Sequence, residues 1–364
     1  MGGDILNTLY YYWLTTSKGI GIKKARQILE YFGDIQSVWE GGINDLLKIG
    51  NISKQVAENL IKRRDKGLLL KEINNIKAKN IDIICIEDDL YPENLKNIYD
   101  PPLIIYTKGN IKKCRKYIAI VGSRRCSLYG KMVARNISKL LCQYDIGIVS
   151  GMARGIDTEA HLGAIDGNGF TIAVLGNGPD IVYPPENIKV MQMIENTGAI
   201  ISEYPPGYEP TPYNFPARNR IISGICHGIL VVEAGEKSGA LITASYALEE
   251  GRDVFAIPGN ILSESSIGTN KLIKDGAKTV TDISDILYEF GIDLKEQISS
   301  SNIELNLSTK EKMIIDIIGN SPMHIDDLIK KTQLKVSEIN SLLTCLELKK
   351  IIKIIPGRYI ARII

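Results

Sequence analysis

The chain has 364 residues but only three histidines, and its six cysteines form no Cys-x-x-Cys pair. His161, His227 and His324 are too few and too dispersed for a histidine metal cluster. Neither a metal nor a cofactor is expected. The cysteines, at 85, 114, 126, 142, 226 and 345, lie largely in apolar segments, which favours free thiols over disulfides or a zinc site. No uninterrupted apolar run reaches membrane-spanning length, and Met1-Gly2-Gly3-Asp4 opens no secretory signal. These absences predict a cytoplasmic protein with no membrane partner. Gly-x-x-x-x-Gly-Lys-Ser/Thr is missing too, so ATP hydrolysis through a phosphate loop of that kind has no support.

What is present is the composition of an ordinary globular protein, with 44% hydrophobic and 24% charged residues, long enough for two or three domains. The net charge of +2 hides a partition. Residues 1–80 carry 13 Lys/Arg against 8 acids, residues 305–364 carry 10 against 6, and the middle carries 21 against 28. The ends are therefore basic around an acidic centre. Any nucleic-acid site in the centre needs its few cations gathered on one face.

Residues 1–80 read as all-helical. Gly19-Ile20-Gly21 leads into one amphipathic helix, and Gly50-Asn51-Ile52-Ser53 leads into another. The repeated scheme resembles the helix-hairpin-helix (SAM-like) module, which either packs or holds a phosphate on its hairpin amides. The run Lys62-Arg63-Arg64-Asp65-Lys66 fits a solvated helix face. Strands are expected at 81–86 and, led by Pro101-Pro102, up to Tyr106.

From residue 116 the pattern alternates. Strands are predicted at 117–121, 146–150, 170–175, 199–202, 228–232, 253–256 and about 278–281. Helices are predicted near 128–143, 155–167, 186–197, 238–250 and 269–275. Such alternation means right-handed crossovers and a mostly parallel sheet, an α/β fold whose ligands bind beyond the carboxyl ends of the strands. The loops that should meet there are Gly122-Ser123-Arg124-Arg125, Ser150-Gly151-Met152-Ala153-Arg154, Gly176-Asn177-Gly178, Asn214-Phe215-Pro216-Ala217-Arg218-Asn219-Arg220 and Glu233-Ala234-Gly235-Glu236-Lys237-Ser238-Gly239. Four of the five combine glycine or serine with a cation. Backbone amides and hydroxyls donate to phosphate oxygens, arginine forks add charge-assisted contacts, and aromatic faces stack on bases. Phe215 and Tyr204, Tyr208 and Tyr213 share one long loop, as candidate base-stacking faces; Phe215 could equally plug the loop against the sheet. Arg218 and Arg220 could instead be structural, paired with Glu203 or Glu233. A dinucleotide site is a poor fit, because the glycines fall at 122 and 130 and the second strand ends in Ser150-Gly151 without a ribose-binding acid.

Several of these segments together resemble one family. Val121-Gly122-Ser123-Arg124, Ser150-Gly151-Met152-Ala153-Arg154-Gly155-Ile156-Asp157, Phe215-Pro216-Ala217-Arg218-Asn219-Arg220, Ser238-Gly239-Ala240 and Val254-Phe255-Ala256-Ile257-Pro258-Gly259 are similar to the motifs of the DNA-processing protein A (DprA/Smf) family. So are Tyr91-Pro92 and Asp100-Pro101-Pro102. The resemblance implies an extended Rossmann-like domain over 81–291 that binds single-stranded DNA and acts without turnover, usually as a homodimer. It also implies protection of incoming strands and loading of RecA recombinase during natural transformation. Carried over residue by residue, the DNA site would comprise Gly122, Ser123, Arg124, Ser150, Gly151, Arg154, Phe215, Arg218, Asn219, Arg220, Lys237, Ser238 and Gly239. Dimer candidates are Leu272, Ile273 and Val280. Members often carry a lysine shortly before the phenylalanine; here Glu209-Pro210-Thr211-Pro212-Tyr213 offers none. The competing reading is a nucleotide-cleaving hydrolase of related fold using Glu233, against which the loop lacks a Pro-Gly-Gly-x-Gly-Thr pattern.

Residues 292–307 read as a polar linker. Residues 308–364 read as three helices and a β-hairpin around Pro356-Gly357, a winged helix. Lys349, Lys350, Lys353 and Arg358 would make a basic wing, and both a DNA-binding and a protein-binding role are compatible with it.

Overall fold

The computed structural model describes residues 2–294, 308–318, 323–332, 334, 336–348, 351–355 and 359–362. Residues 1–298 form one compact unit and 299–364 a second. The first begins with six helices: α1 (Gly2–Thr16), α2 (Ile22–Phe32), α3 (Ile35–Glu40), α4 (Ile43–Leu47), α5 (Lys54–Lys62) and α6 (Lys66–Lys77). Asp34, Ser53 and Asp65 cap α3, α5 and α6 by accepting an N–H three residues on. In α1, Leu9 to Leu14 are buried all round, and Trp13 Nε1 donates to Leu60 O at 3.0 Å. A helix apolar on every side belongs in a core. That core runs on into Ile81, Ile83, Cys85, Leu103, Ile104 and Tyr106, so the expected division at residue 80 falls inside shared packing.

The sheet is built from β1 (Asp82–Cys85), β2 (Ile104–Gly109), β3 (Lys116–Val121), β4 (Ile146–Ser150), β5 (Thr171–Leu175), β6 (Ala199–Ser202), β7 (Gly228–Val231), β8 (Asp253–Ala256) and β9 (Lys278–Thr279). Between them run α7 (Glu93–Lys96), α8 (Leu128–Cys142), α9 (Ile156–Asp166), α10 (Ile188–Thr197), α11 (Asn214–Ile225), α12 (Gly239–Glu249), α13 (Ile267–Lys274) and, last, α14 (Ile283–Glu289). Strand order is β1-β2-β6-β5-β4-β3-β7-β8-β9. Pairings from β6 to β9 are parallel, while β1–β2 and β2–β6 are antiparallel. Side chains alternate as the pleat requires. Val121, Val149, Ile172, Val174, Ile229 and Val231 pack with α11 and α12 on one face. Ile118, Ile120, Ile146, Ile148 and Leu230 pack with α8 and α9 on the other.

From β3 the chain winds one way through β4, β5 and β6, then returns to set β7 on the other side of β3. The loops after β3 and β7 therefore part at the reversal point, which opens a crevice at the carboxyl ends. One sequence expectation needs correcting here. Residues 214–220, read as the end of a loop, open the helix α11, which runs on to Ile225 and has eight of its twelve residues buried.

The second unit comprises α15 (Thr309–Ile318), β10 (Met323–His324), α16 (Ile325–Thr332), α17 (Val336–Leu348), β11 (Ile352–Ile355) and β12 (Tyr359–Arg362). Its strands pair in the order β10-β12-β11 around Ile314, Leu328, Ile339, Leu343, Leu346 and Ile360. This is a winged helix. Lys349, Lys350 and Arg358 of the expected wing, and most of the expected linker, lie outside the described residues.

Candidate nucleic-acid interface

The crevice at the β3/β7 reversal is a cleft of about 640 Å³. Nine of the thirteen site residues expected from sequence line it: Gly122, Ser123, Arg124, Phe215, Arg218, Asn219, Lys237, Ser238 and Gly239. They come from the β3–α8 loop, the start of α11 and the β7–α12 turn. Arg125, Asp157, Tyr183 and Thr243 line it as well.

The β3–α8 loop is held from below by the end of β7. Ser123 N donates to Glu233 O at 2.7 Å. Ser127, which caps α8 by accepting from Gly130 N, gives its own N–H to Glu233 Oε2 at 2.9 Å and its hydroxyl to Glu233 Oε1. Glu233 is buried, and both of its oxygens are engaged in this clamp. The carboxylate on which a hydrolase reading leaned thus holds a helix start. On the other wall Ser238 caps α12, accepting from Ala240 N at 3.3 Å, while Lys237 and Gly239 stand exposed.

The arginines divide into two kinds. Arg124 and Arg125 are exposed and, like Lys237, pair with no carboxylate among the described residues. Arg124 Cζ stands 5.7 Å from the Phe215 ring centroid, within cation–π range. Arg218 lines the cleft from beneath, but its Nη1 already donates to Gly151 O at 2.8 Å and to Val174 O. Burial lowers its pKa to about 10, which leaves it cationic at neutral pH. It contributes positive potential to the cleft floor more than a free fork.

Beside it lies Asp157, whose Oδ2 accepts from Gly151 N at 3.1 Å and Ala153 N at 3.3 Å. Burial pushes this carboxyl up to about 6, against the pull of Arg218. A Cβ on Gly151 would stand 2.6 Å from Arg218 Nη2 and 2.8 Å from Asp157 Oδ2, so only glycine lets the two groups close around the chain.

Four expected residues point elsewhere. Ser150 is buried and donates to Ile120 O at 2.7 Å. Gly151 lies beneath Arg218 and outside the lining. Arg154 is exposed but pairs with Glu186 beyond the cleft. Arg220 is buried, with Nη2 on both oxygens of Glu203 at 2.6 and 2.8 Å. Two positions along a helix lie 200° apart, which sends Arg218 and Arg220 to opposite sides of α11. Of the dimer candidates, Val280 is 1% exposed inside the core and Leu272 packs on the sheet, leaving Ile273 half-exposed on α13, in the segment that leads to the sheet-edge strand β9.

The aromatic lining was only half foreseen. Phe215 is half-buried, its Cδ1 only 3.1 Å from where a Cβ on Gly176 would stand. It stacks on Tyr183 with centroids 5.3 Å apart and planes 29° apart. Tyr183 comes from the loop after β5 and was not anticipated. Tyr204 and Tyr208 stack on each other, 4.8 Å apart, and do not line the cleft. Tyr213, 88% exposed, lies between Pro212 and Phe215 of the lining in sequence and does not itself line the cleft. Three unpaired cations, backbone amides, small hydroxyls and an aromatic pair offer the donors that phosphate oxygens accept from and the faces on which an unstacked base can lie.

Comparison with known proteins fits this geometry. A family profile described as DNA recombination-mediator protein A matches residues 82–291, and one described as DprA winged helix domain matches 301–358. The DNA processing protein DprA of Streptococcus pneumoniae is 40% identical over 287 residues, which is 78% of this chain and 98% of that protein. Protein Smf of Synechocystis is 31% identical over 390 residues, 96% of this chain and 98% of its own length. The crystal structure of the pneumococcal protein superposes with a TM-score of 0.67 at 39% identity, covering 79% of this chain and 97% of that one. A Helicobacter pylori DNA processing protein A, whose structure was reported for its single-stranded DNA binding mode, superposes with a TM-score of 0.52 at 29% identity, over 57% and 95%.

Proposed function

Because this chain belongs to the DNA recombination-mediator protein A (DprA/Smf) family, we propose that it binds single-stranded DNA in the β3/β7 cleft and acts as a mediator without turnover. It protects incoming strands and hands them to RecA recombinase during DNA uptake, as a homodimer formed around Ile273 and the β9 edge. One observation carries the reading. Arg124, Arg125 and Lys237, from two loops separated by more than a hundred residues, meet the Phe215–Tyr183 pair in a single cleft, and none of the three is ion-paired to a carboxylate among the described residues. Cations left unpaired in an acidic segment are available for phosphates.

The test is fluorescence anisotropy with labelled oligo-dT. Arg124→Ala weakens binding about 10-fold or more, as loss of a charge-assisted phosphate contact requires. Lys62→Ala, an exposed lysine on α5, changes it less than about twofold. Equal losses would move the site off the sheet.

A further inference from the structure

Beyond the cleft, the first turn of α8 carries a feature that fold stability does not require. Leu128 is 79% exposed, Tyr129 56% and Met132 72%. The core stripe of the same helix is Gly130, Ala134, Ile137 and Leu141, all buried. Later outward positions of α8 are polar as a solvated face should be, with Arg135, Asn136 and Lys139. Three large apolar side chains are thus confined to the one turn that follows Arg124 and Arg125 of the cleft. Lys131 stands exposed among them and pairs with no carboxylate among the described residues. The nearest acids are occupied: Glu233 holds Ser127, and Glu159 and Asp166 hold Arg135.

We infer that the first turn of α8 is a second subsite for the same strand, which crosses the Arg124-Arg125 loop and lays its next bases on Leu128, Tyr129 and Met132 with Lys131 on a phosphate. The inference rests on the cleft reading above. Two arguments favour nucleic acid as the occupant. The patch continues directly from a cleft wall, and its charge is exclusively positive, with apolar surface interleaved, the combination that tracks a backbone while stacking its bases. An amphipathic partner protein would meet the same apolar atoms but would have to set its own acids opposite Lys131 and the Arg124-Arg125 loop, where a nucleic-acid strand brings a phosphate with every base.

The experiment compares affinity for oligo-dT of ~6 and ~20 nucleotides, lengths chosen to fill the cleft alone or to extend past it. The probe protein is the full chain with Leu128→Ser, Tyr129→Ser and Met132→Ser combined. All three positions are solvent-facing, and a thermal melt checks that the fold is kept. The ~20-mer should lose roughly 10-fold in affinity while the ~6-mer is unchanged, and Tyr129→Phe alone should bind like the parent. In the parent, a ~20-mer carrying 5-iodouracil should photo-cross-link to Tyr129. Equal losses at both lengths, no loss at either, or absence of the cross-link would overturn the second subsite. Arg124→Ala separates the two readings. If it abolishes binding of the ~6-mer while the triple variant behaves as parent, only the α8 subsite fails. If it leaves the ~6-mer bound, the cleft reading fails first.

Discussion

Thr171 has one hydroxyl proton, and it goes to Ile148 O at 2.8 Å. His161, buried beneath the cleft, lies 2.7 Å from Thr171 Oγ1 through Nδ1, and since that hydroxyl proton is already spent, Nδ1 carries the ring proton and donates it. Nε2 is then a bare acceptor without a protein partner. Protonating it would bury a charge, and burial first, then the Arg218 cation, lowers this pKa from 6.5 to about 3. Between those values the unfolded chain binds a proton that the folded chain refuses. Stability is therefore complete above pH 6.5 and declines as pH falls towards 3, by about 2 kcal/mol at pH 5 from this group alone. Urea titrations at pH 7.5 and pH 5 should show a smaller gap for His161→Gln than for the parent. Phe215 makes a different prediction. With one edge against Gly176 and its ring on Tyr183, it is partly packed and partly presented. Phe215→Ala should weaken oligo-dT binding roughly 5- to 100-fold and cost only about 1 kcal/mol of stability. A loss above about 3 kcal/mol with unchanged affinity would mean the ring is a plug. At this scale the sequence was least legible. No spacing rule announces that Gly151 O and Val174 O rise to meet Arg218, whereas Glu203 is among the partners the sequence offers for Arg220.

Elements were easier to read than side chains. Short apolar, partly β-branched runs mark β3 to β8, the first three closed directly by Gly122, Gly151 and Gly176, and predicted and observed strand limits agree within one residue from 116 to 256. The helix α11 escaped because it violates the pattern that reveals helices. Its start, Asn214-Phe215-Pro216, looks like a turn, and the helix is buried on most sides, so it shows no polar stripe. Proline is nonetheless at home in a first helical turn, where its missing N–H has no partner to lose. Tyr183 escaped for a related reason: it lies in a proline-containing connection between β5 and α10, with no periodicity to flag it. The clamp between β7 and α8 gives the prediction for this scale. Glu233→Ala removes the acceptor for both Ser127 donors and should cost about 1–3 kcal/mol in urea unfolding, with Glu233→Gln costing less. If Glu233→Ala leaves stability unchanged, the clamp is not what orders the loop.

For the whole molecule, the charge partition that argued against a nucleic-acid site in the centre turns out to be a matter of pairing. Within the centre Lys108, Arg135, Arg154, Arg220 and Lys278 each hold a carboxylate, and Arg124, Arg125 and Lys237 at the cleft do not. Three phosphates neutralised by Arg124, Arg125 and Lys237 give a slope of about −2 for the logarithm of binding constant against that of salt, for an oligonucleotide confined to the cleft. A slope near zero would mean that stacking alone holds the strand.

The return of the chain to set β7 against β3 has a consequence for biosynthesis. β3 leaves the ribosome more than a hundred residues before its neighbour exists, and until then one of its edges is bare. The opposite wall, with Lys237 and Ser238, is made later still. A nascent chain therefore carries its arginines long before it has any grip on a strand. On the cleft reading, competence to bind waits until β7 and the turn after it are in place.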